Sequence, residues 1–432
     1  MTPLNALPIS CECQWRAAAV LPQSGDCLKI HRVPPPRINL SSTPDRTAAG
    51  DAWVSGFVDP RWELRCDAGT RRAEARAGAS VFKAWDDPLA ALAWMSRTFA
   101  ADGGRWVGHI NYDFGRVFEP AWGASRAPPD DLGLPLFHFT YCTPSRERRT
   151  YAPEPVYATG DAPVRGNFTR AAYEAAVQRA IDYVAAGDVF QVNLSQRFTA
   201  GLPVQPALIY QWLVRQSPAR YGAYLGYGDY AIVSNSPELF LKVDDRHVVT
   251  RPIKGTRPLG PGMADELRDS AKDQAELNMI VDLERNDLGR VCEVGSVRVS
   301  EPRSIEQHPT VYHGVATVEG TLRPDVTLVD LLRAMFPGGS VTGAPKIRAS
   351  QIIDELEPVA RGPYCGAIGY VARGGACQFN LAIRTMTVKD GLVHVPVGGG
   401  VVADSGPAAE YEETLVKAQA MFAALGLSLP TG

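Results

Sequence analysis

Two pairs of acidic residues, each pair three positions apart, lie in stretches whose patterns predict helices. The first pair is Asp273 and Glu276, in KDQAELNMIVDLERNDLGRV at residues 272–291. At helical spacing Glu276 shares a side with the apolar Ile280 and Leu283. An ionised carboxylate on an apolar face is costly unless a cation or several donors meet it. The pattern therefore predicts either an acid directed into a site or an amphipathic helix whose Glu276 reaches water.

The second pair, Glu410 and Glu413, lies in a helix that Pro407 is expected to begin. Acids in a first helical turn are often explained by the helix dipole, so this pair alone leaves both interpretations open. Two helices that each present a pair of acids can also supply oxygen ligands to a hard cation. Mg²⁺ takes one or two carboxylates, keeps waters and binds oxygens of a substrate.

A lysine and a glutamate are candidates for proton transfer and nucleophilic attack. Lys254 lies in PIKGT, before a turn at Gly255 where backbone could approach a ligand closely. Such a lysine serves as an anion clamp, a base or a nucleophile, and a surface lysine is the alternative. Glu238 lies sixteen residues earlier in SNSPELF. If the two strands form a hairpin, the carboxyl could donate a proton while the amine attacks.

One arginine and a run of glycines are candidates for binding a ligand. Arg384 lies inside the apolar segment FNLAIRTMTV and needs an anionic partner. A ligand carboxylate and a structural salt bridge both satisfy that requirement. The glycines at 398–400 precede the last helix, which is typical either of close approach by a ligand or of a β-bulge.

The composition is that of a globular protein, with 45% hydrophobic and 21% charged residues among 432, which is enough chain for two or three domains. A net charge of −3 argues against nucleic acid or a membrane surface as partner, so local charges must meet any anionic ligand. The eight cysteines lack paired metal-ligand spacing, which favours a reduced compartment. No signal peptide or apolar run long enough to span a bilayer is present, and we expect a cytoplasmic protein.

Short strands outnumber alternations of strand and helix along the chain. This predicts an α+β fold with mostly antiparallel sheet flanked by helices, rather than a doubly wound parallel sheet. A Pro-rich, polar interval predicts a domain boundary near residue 160. Four predicted elements bear on the site or its surroundings: a helix at 88–101 and single strands at 105–115, at 230–243 (YAIVSNSPELFLKV) and at 379–388 (FNLAIRTMTV).

Several of these segments together resemble the chorismate-utilising enzymes, the family that includes anthranilate synthase component I. The resemblance covers residues 168–427, extends more loosely to NYDFGR, and rests on GDVFQVNLSQRF, SNSPELF, PIKGTRP, KDQAELNMIVDLERNDLGR, GAPK, AIRTM and GGGVVADS with EYEET. Several long motifs in the right order make it highly specific. It implies a large β-sandwich core flanked by helices, with an N-terminal domain at 1–160 and a chorismate-binding catalytic domain at 165–427.

The resemblance also implies roles for individual residues. Four match the family's Mg²⁺ site, which holds the ring carboxylate of chorismate: Glu276 and Glu413 as ligands, with Asp273 and Glu410 nearby. The site for the enolpyruvyl carboxylate would comprise Arg384, Tyr364, Lys417 and the backbone around Gly398. The ring would be lined by Gly255, Thr256 and Ser340. His313 matches the family's active-site histidine, but Gly-Val-Ala follows it where Leu-Val-Ser is usual.

Position 254 separates members of this family. Anthranilate synthases generally carry Ala there, whereas aminodeoxychorismate synthases carry the Lys found here. Members that add water usually carry Lys where this chain has Gln191, which argues against isochorismate or salicylate synthesis. The resemblance is thus strongest to enzymes that aminate chorismate at C4.

By analogy, the amine of Lys254 attacks C2 of chorismate while Glu238 protonates the departing C4 hydroxyl, and ammonia then adds at C4. The attacking amine must be uncharged, so we expect burial and nearby Mg²⁺ to lower the pKa of Lys254. The chain has no G-x-C-x-G-H-Q-type glutaminase segment, which implies that a separate glutamine amidotransferase subunit supplies the ammonia. The alternatives are anthranilate synthase component I and a non-catalytic chorismate-binding regulatory subunit.

Overall fold

Antiparallel strands dominate this computed structural model, which describes residues 37–41, 55–144, 163–202 and 204–430. In chain order the strands are β1 (Arg37–Ser41), β2 (Ser55–Cys66), β3 (Ala73–Ala77), β4 (Ser80–Trp85), β5 (Arg105–Ile110), β6 (Phe137–Pro144), β7 (Arg165–Gly166), β8 (Gln191–Gly201), β9 (Tyr221–Gly226), β10 (Tyr230–Ser236), β11 (Leu239–Asp244), β12 (His247–Arg251), β13 (Ile253–Pro258), β14 (Arg298–Gln307), β15 (Val311–Thr321), β16 (Gly343–Ala344), β17 (Ala367–Val371), β18 (Cys377–Leu381), β19 (Thr385–Lys389) and β20 (Leu392–Val401). The helices are α1 (Pro88–Met95), α2 (Gly115–Phe118), α3 (Pro120–Gly123), α4 (Arg170–Ala185), α5 (Pro206–Gln216), α6 (Met263–Asp269), α7 (Ala271–Gly289), α8 (Leu328–Met335), α9 (Lys346–Leu356) and α10 (Pro407–Leu425).

The strands form two large sheets in which neighbours pair antiparallel, which confirms the predicted α+β class. In the first sheet β8, flanked by the short β7 and β16, is followed by β20, β19, β10, β9 and β1. In the second, β4, β3, β2, β6, β5, β17, β18, β11, β12 and β15 follow one another, and β13 and β14 also pair with β15. The β1–β2 pairing joins the two sheets. The boundary near residue 160 falls outside the described residues, and the division into 1–160 and 165–427 stays a prediction.

Two segments cross from one sheet into the other, and each was expected to be a single strand. The segment 230–243 is divided at Pro237 and Glu238 into β10 of the first sheet and β11 of the second. The segment 379–388 is divided at residues 382–384 into β18 of the second sheet and β19 of the first. The expectation is wrong because both halves are apolar and extended, so local periodicity cannot register a change of pairing partner.

The helix α7 confirms the predicted helix but buries a different face. Its buried side chains are Leu277, Ile280, Val281, Glu284, Asp287 and Leu288. The neighbouring stripe is half-buried and comprises Asp273, Glu276, Met279 and Leu283. The predicted acids therefore lie at the border of the core, while the interior receives Glu284 and Asp287 instead.

The helix α10 begins at Pro407, as predicted, and ends before Gly426, whose φ of 65° suits a glycine C-cap. It buries Tyr411, Ala418 and Phe422 against neighbouring elements. Because α10 packs on β20, its first turn lies over the glycines of that strand.

Two predicted elements in the N-terminal region are shorter than expected. The strand predicted at 105–115 ends at Ile110, because Tyr112–Phe114 forms a 3₁₀ turn. The helix predicted at 88–101 ends at Met95, and the Thr98 hydroxyl donates to the Trp94 carbonyl just beyond that end (2.8 Å). No described helix combines the length and the apolar character that crossing a bilayer requires.

Candidate active site

The two sheet crossings lie side by side and carry Glu238 and Arg384. The Ser236 hydroxyl donates to the Leu381 carbonyl at 2.6 Å, and the Leu381 amide donates to the Glu238 carbonyl at 3.1 Å. Arg384 has a φ of 48°, in the left-handed region that residues with side chains seldom occupy. The described residues form no hydrogen bond or ion pair with its guanidinium, and burial lowers its pKa although Glu238 opposes the shift. Arg384 is thus available to an anionic ligand.

Glu238 is a buried carboxyl that holds its proton near neutral pH. It is 4% exposed, accepts a hydrogen bond from the Ser340 hydroxyl (2.7 Å), and is bonded by the backbone amide of Ile253. Burial raises the pKa of Glu238 to about 7, because it outweighs the Ser340 hydrogen bond and the positive charge of Lys254. A carboxyl with such a pKa can give and recover a proton at physiological pH.

Lys254 follows the first residue of β13 and is half-buried. The expected hairpin between the segments of Glu238 and Lys254 forms as the antiparallel pair β11–β12, in which Leu239 pairs with Arg251. Lys254 lies just beyond this hairpin, in β13, which pairs with β15. The Ile253 amide bonded to Glu238 nevertheless brings Lys254 beside that carboxyl. Burial lowers the pKa of Lys254, Lys417 adds to the shift, and Glu276, Glu238 and Glu413 oppose it. The direction is the one predicted for a nucleophilic amine.

The three glycines of β20 allow charged groups to approach the strand from both faces. A methyl group on Gly399 would lie 3.0 Å from Glu410 Oε2 and 3.6 Å from both Glu413 Oε1 and Lys417 Nζ. A methyl group on Gly400 would lie 2.4 Å from Gln191 Nε2 and 3.5 Å from Lys254 Nζ. Successive strand residues face opposite sides, so the acids and Lys254 flank the same glycine backbone. Close approach, rather than a β-bulge, explains the run.

The four predicted metal-binding acids differ in their surroundings. Glu410 is 5% exposed, accepts from the Ser405 hydroxyl (2.7 Å), and its buried Oε2 has no hydrogen-bond partner among the described residues. Burial raises the pKa of Glu410 and the charge of Glu413 adds to the shift. Glu413 pairs with Lys417 at 2.7 Å, and Asp273 pairs with Arg257 at 3.1 Å. Glu276 lies 4.0 Å from Lys272.

These surroundings fit a hard cation in part. Within the described ranges, no group of three or more Asp, Glu, His or Cys side chains is arranged as a metal site. Mg²⁺ does not require three, because waters and substrate oxygens complete its coordination. The unbonded Glu410 Oε2 and the nearby Glu413 Oε1 at Gly399 are oxygen ligands of the kind that Mg²⁺ prefers.

His313 and Thr256 form a pair on neighbouring strands next to the predicted ring site. Their side chains are 2.9 Å apart, between Thr256 Oγ1 and His313 Nδ1. Burial lowers the pKa of His313 well below its ordinary value, and Arg384 lowers it further, so the imidazole is neutral. Gly255 has a φ of 83°, and a methyl group there would lie 2.6 Å from Leu267 Cδ1 and 2.8 Å from Asp273 Cγ. Glycine is therefore required after Lys254.

The residues predicted to hold the enolpyruvyl carboxylate have different surroundings. Lys417 donates to the Gly398 carbonyl at 2.9 Å, so these two are in direct contact. Arg384 instead lies in the electrostatic field of Glu238 and His313. Tyr364 is buried in the core, where burial raises its pKa well above the ordinary range and Arg361 opposes the shift. Their roles in binding stay predictions.

Gln191, the predicted specificity position, lies beside Gly400 and Lys254. It is fully buried, and neither atom of its amide has a hydrogen-bond partner among the described residues. A buried amide usually finds partners, so one facing Lys254 is suited to contact a ligand.

Sequence reasoning overlooked Glu284, which lies on the buried stripe of α7. Glu284 is 5% exposed and accepts a hydrogen bond from the Thr250 hydroxyl (2.9 Å). Burial raises its pKa to about 8, and the charges of Glu238 and Asp287 add to the shift, while Lys346, which pairs with Asp287 at 2.6 Å, opposes it. A glutamate four residues after Ile280 in an apolar stripe was the available signal.

We expect Glu284→Gln to stabilise the protein at alkaline pH. The pKa of Glu284 is higher in the folded than in the unfolded chain. The contribution of the protonated side chain to the free energy of unfolding is therefore complete below about pH 4.5 and is lost as pH rises through about 8. The variant should avoid a loss of about 5 kcal/mol in the free energy of unfolding at pH 9, giving a higher melting temperature than wild type at pH 9 but a similar one at pH 5. Asp282→Asn, at an exposed position of α7, is the control. Equal melting temperatures for Glu284→Gln and wild type at pH 9 would contradict the pKa.

Residues 45–423 match the family described as chorismate binding enzyme. The chain belongs to this family. The match includes most of the N-terminal third, beyond the segment 168–427 on which the resemblance mainly rested. The chain is therefore a chorismate-utilising enzyme, and the residues gathered at Glu238, Lys254 and the β20 glycines are its candidate site.

Relatives of this chorismate binding enzyme carry two different names. Anthranilate synthase component 1 of Thermus thermophilus is 43% identical over 365 residues, covering 74% of this chain and 77% of that protein. Aminodeoxychorismate synthase component 1 of Klebsiella aerogenes is 40% identical over 338 residues, covering 72% and 75%. The Bacillus subtilis protein of the latter name is 46% identical over 267 residues, covering 60% and 57%.

A solved structure confirms the fold expected for a chorismate binding enzyme. Anthranilate synthase component I from Streptococcus pneumoniae TIGR4 superposes with a TM-score of 0.73 at 28% identity, covering 94% of this chain and 95% of that one. The β-sandwich core flanked by helices is thus the fold of the family.

Proposed function

We propose that this enzyme is aminodeoxychorismate synthase component I, which aminates C4 of chorismate to form 4-amino-4-deoxychorismate for p-aminobenzoate and folate biosynthesis. The observation that carries the proposal is Lys254. Burial lowers the pKa of its amine, which lies beside the Glu238 carboxyl and 3.5 Å from a methyl position on Gly400. An amine in this position can attack the ring, whereas alanine, usual here in anthranilate synthases, cannot.

In the first proposed step, the neutral amine of Lys254 forms a bond to C2 of chorismate. Both ring double bonds shift by one position, and the C4–O bond breaks with its electron pair leaving on oxygen. Glu238 gives its proton to that oxygen, so water departs and the carboxylate is left in the site. Because the pKa of Glu238 is about 7, about half of the carboxyls carry the proton at neutral pH and can donate it.

In the second step, ammonia bonds to C4, both ring double bonds return to their original positions, and the C2–N bond breaks with its electron pair returning to the nitrogen of Lys254. The new C4 ammonium gives a proton back to the Glu238 carboxylate. Chorismate and ammonia are consumed, water and the amino product form, and both side chains regain their starting protonation. Arg384 and Lys417 would bind the enolpyruvyl carboxylate, and Gln191 would face the ring beside Lys254.

Mg²⁺ is the cofactor in this proposal. Glu276 and Glu413 would hold it, with Glu410 and Asp273 nearby, and when bound it would neutralise the ring carboxylate of chorismate. The ammonia would come from a separate glutamine amidotransferase subunit. The unbonded Glu410 Oε2 and the acids around Gly399 support the cation site.

We expect Glu413→Gln to weaken Mg²⁺ binding roughly 10- to 100-fold, because an amide oxygen carries no charge. Titration calorimetry of Mg²⁺ into protein saturated with chorismate measures this without relying on turnover. Glu412→Gln is the matched control, since its neighbouring carboxylate is exposed and pairs with Arg170. If Glu413→Gln binds Mg²⁺ as tightly as Glu412→Gln does, Glu413 is not a ligand.

The second candidate function is that of anthranilate synthase component I. The Thermus thermophilus relative and the Streptococcus pneumoniae structure favour it. Product analysis by mass spectrometry, after mixing the purified protein with chorismate, MgCl₂ and ammonium, separates the two. We expect 4-amino-4-deoxychorismate without release of pyruvate. Anthranilate together with pyruvate would establish the second candidate, and binding of chorismate without turnover would identify a regulatory subunit.

A further inference from the structure

A buried ion pair outside the substrate-contacting residues connects the two halves of the candidate site. Glu357 and Arg361 follow α9, and their side chains are 3% and 2% exposed. Arg361 Nε donates to Glu357 Oε2 at 2.9 Å, and Arg361 Nη2 donates to Glu357 Oε1 at 2.6 Å. The Arg361 guanidinium also lies 4.6 Å from the ring centre of Tyr112, which comes from the N-terminal region.

The ion pair contacts the first half of the site, at the β20 glycines, through β8. Glu357 Oε1 accepts from both the amide (2.8 Å) and the hydroxyl (2.9 Å) of Ser195, and Arg361 Nη2 donates to the Asn193 carbonyl at 2.8 Å. Ser195 pairs with Gly398 and Asn193 pairs with Gly400. The ion pair thus fixes the part of β8 that lies against the glycines near the acids and Lys254.

The ion pair contacts the second half of the site, at Glu238, through the 3₁₀ turn Gly339–Val341. Arg361 Nη1 donates to the Val341 carbonyl at 2.8 Å. The preceding residue is Ser340, whose hydroxyl donates to Glu238. One guanidinium therefore holds the turn that positions a hydrogen bond to the proposed general acid.

A purely structural role explains this arrangement poorly. Removing two charges from water costs several kcal/mol per ion, and apolar side chains of similar volume often stabilise a core at least as much as an ion pair does. Here each partner makes four hydrogen bonds, and those reaching beyond the pair go to segments of the candidate site. Rigid placement of reacting groups within fractions of an ångström is what such bonds achieve.

We propose that Glu357 and Arg361 form a positioning pair that sets the Ser340 hydroxyl against Glu238 and the β8 backbone against the β20 glycines. The proposal rests on Glu238 serving as the general acid of the proposed function. It applies whichever amino product forms, because both candidate reactions expel the C4 hydroxyl.

The test is the pH profile of Arg361→Lys, which keeps the charge but loses the fork of donors. Six neighbouring groups interact with Glu238: the Ser340 hydroxyl, the Ile253 amide, Lys254, Arg384, Glu284 and Cys365, whose thiol has a pKa raised to about 12 and stays neutral. The Ser340 hydrogen bond lowers the pKa of Glu238, so its loss raises that pKa and moves the fall in rate at high pH upward. We expect an upward shift of about half a pH unit or more and roughly a tenfold loss in kcat, with a smaller change in KM.

Ser340→Ala should give the same shift, and adding Arg361→Lys to it should shift the profile little further. Arg116→Lys is the matched control, since Arg116 forms a buried ion pair with Asp354 that does not reach these segments. It should lower the melting temperature without moving the pH profile. If Arg361→Lys also loses stability but keeps the wild-type profile, or if its shift adds fully to that of Ser340→Ala, the pair is structural. If the wild-type enzyme forms anthranilate, the proposed function is wrong. The pH profiles still test the positioning pair, because the C4 hydroxyl leaves in both reactions.

Discussion

Lys254→Ala should lose at least on the order of 10³-fold in the rate of 4-amino-4-deoxychorismate formation. The change removes the nitrogen that is proposed to bond to C2, and no other described lysine lies beside both Glu238 and the β20 glycines. Chorismate binding should persist, because Arg384 and the acidic residues are untouched. Rapid quenching followed by intact-protein mass spectrometry should show a chorismate-derived adduct on wild type and none on the variant.

Lys242→Ala, on β11 of the same sheet, is the control for loss of a lysine. The alanine variant also bears on specificity, since alanine is the residue usual at this position in anthranilate synthases. Residual formation of anthranilate by Lys254→Ala would show that position 254 selects the product. An undiminished rate of 4-amino-4-deoxychorismate formation would exclude Lys254 as the nucleophile.

Glu238→Gln should lower kcat by roughly 10²- to 10⁴-fold, because the departing C4 oxygen loses its proton donor. The pH dependence gives a sharper test than the rate alone. A pKa of about 7 means that the acid form predominates below that pH, so the wild-type rate should fall as pH rises through about 7 and beyond. The glutamine variant does not titrate, and its residual rate should lack this fall. Initial rates from pH 5.5 to 9 at chorismate concentrations well below KM give kcat/KM, which reports ionisations of the free enzyme, and so measure both profiles.

Glu319→Gln makes the same chemical change on β15, where the carboxylate pairs with Arg298 on the surface side of the sheet. It should keep both the rate and the profile of wild type. A Glu238→Gln variant that retained the wild-type fall at high pH would assign that ionisation to another group. Lys254 cannot cause the fall, because its amine becomes more reactive as it loses its proton.

The helices and the acids they carry were predictable from the sequence. The helix α7 and the start of α10 at Pro407 follow from local periodicity and capping. For the glycines of β20 the sequence left close approach and a β-bulge as alternatives, and the unbroken register of the strand with β8 excludes the bulge. Family motifs then assigned roles to residues such as Gln191, which the structure places beside Lys254.

Other features of the site depend on which strands pair. Glu238 and Arg384 are brought together because two neighbouring segments change sheet at the same level. Glu238 and Lys254 meet at the Ile253 amide, just beyond the end of the β11–β12 hairpin. Periodicity describes one strand at a time, so it contains no information about a partner far away in the chain.

By itself, the sequence determined the family, the α+β class and the acid-bearing helices, and it supplied the prediction of which side chains react, because these depend on local pattern and motif. Only the tertiary structure decided which face of α7 is buried, where the sheets exchange strands, and how far the environment moves the pKa values of Glu238, Lys254 and Glu284. The physical reason is that burial and electrostatic coupling arise between residues distant in sequence, and they exist once the chain has folded.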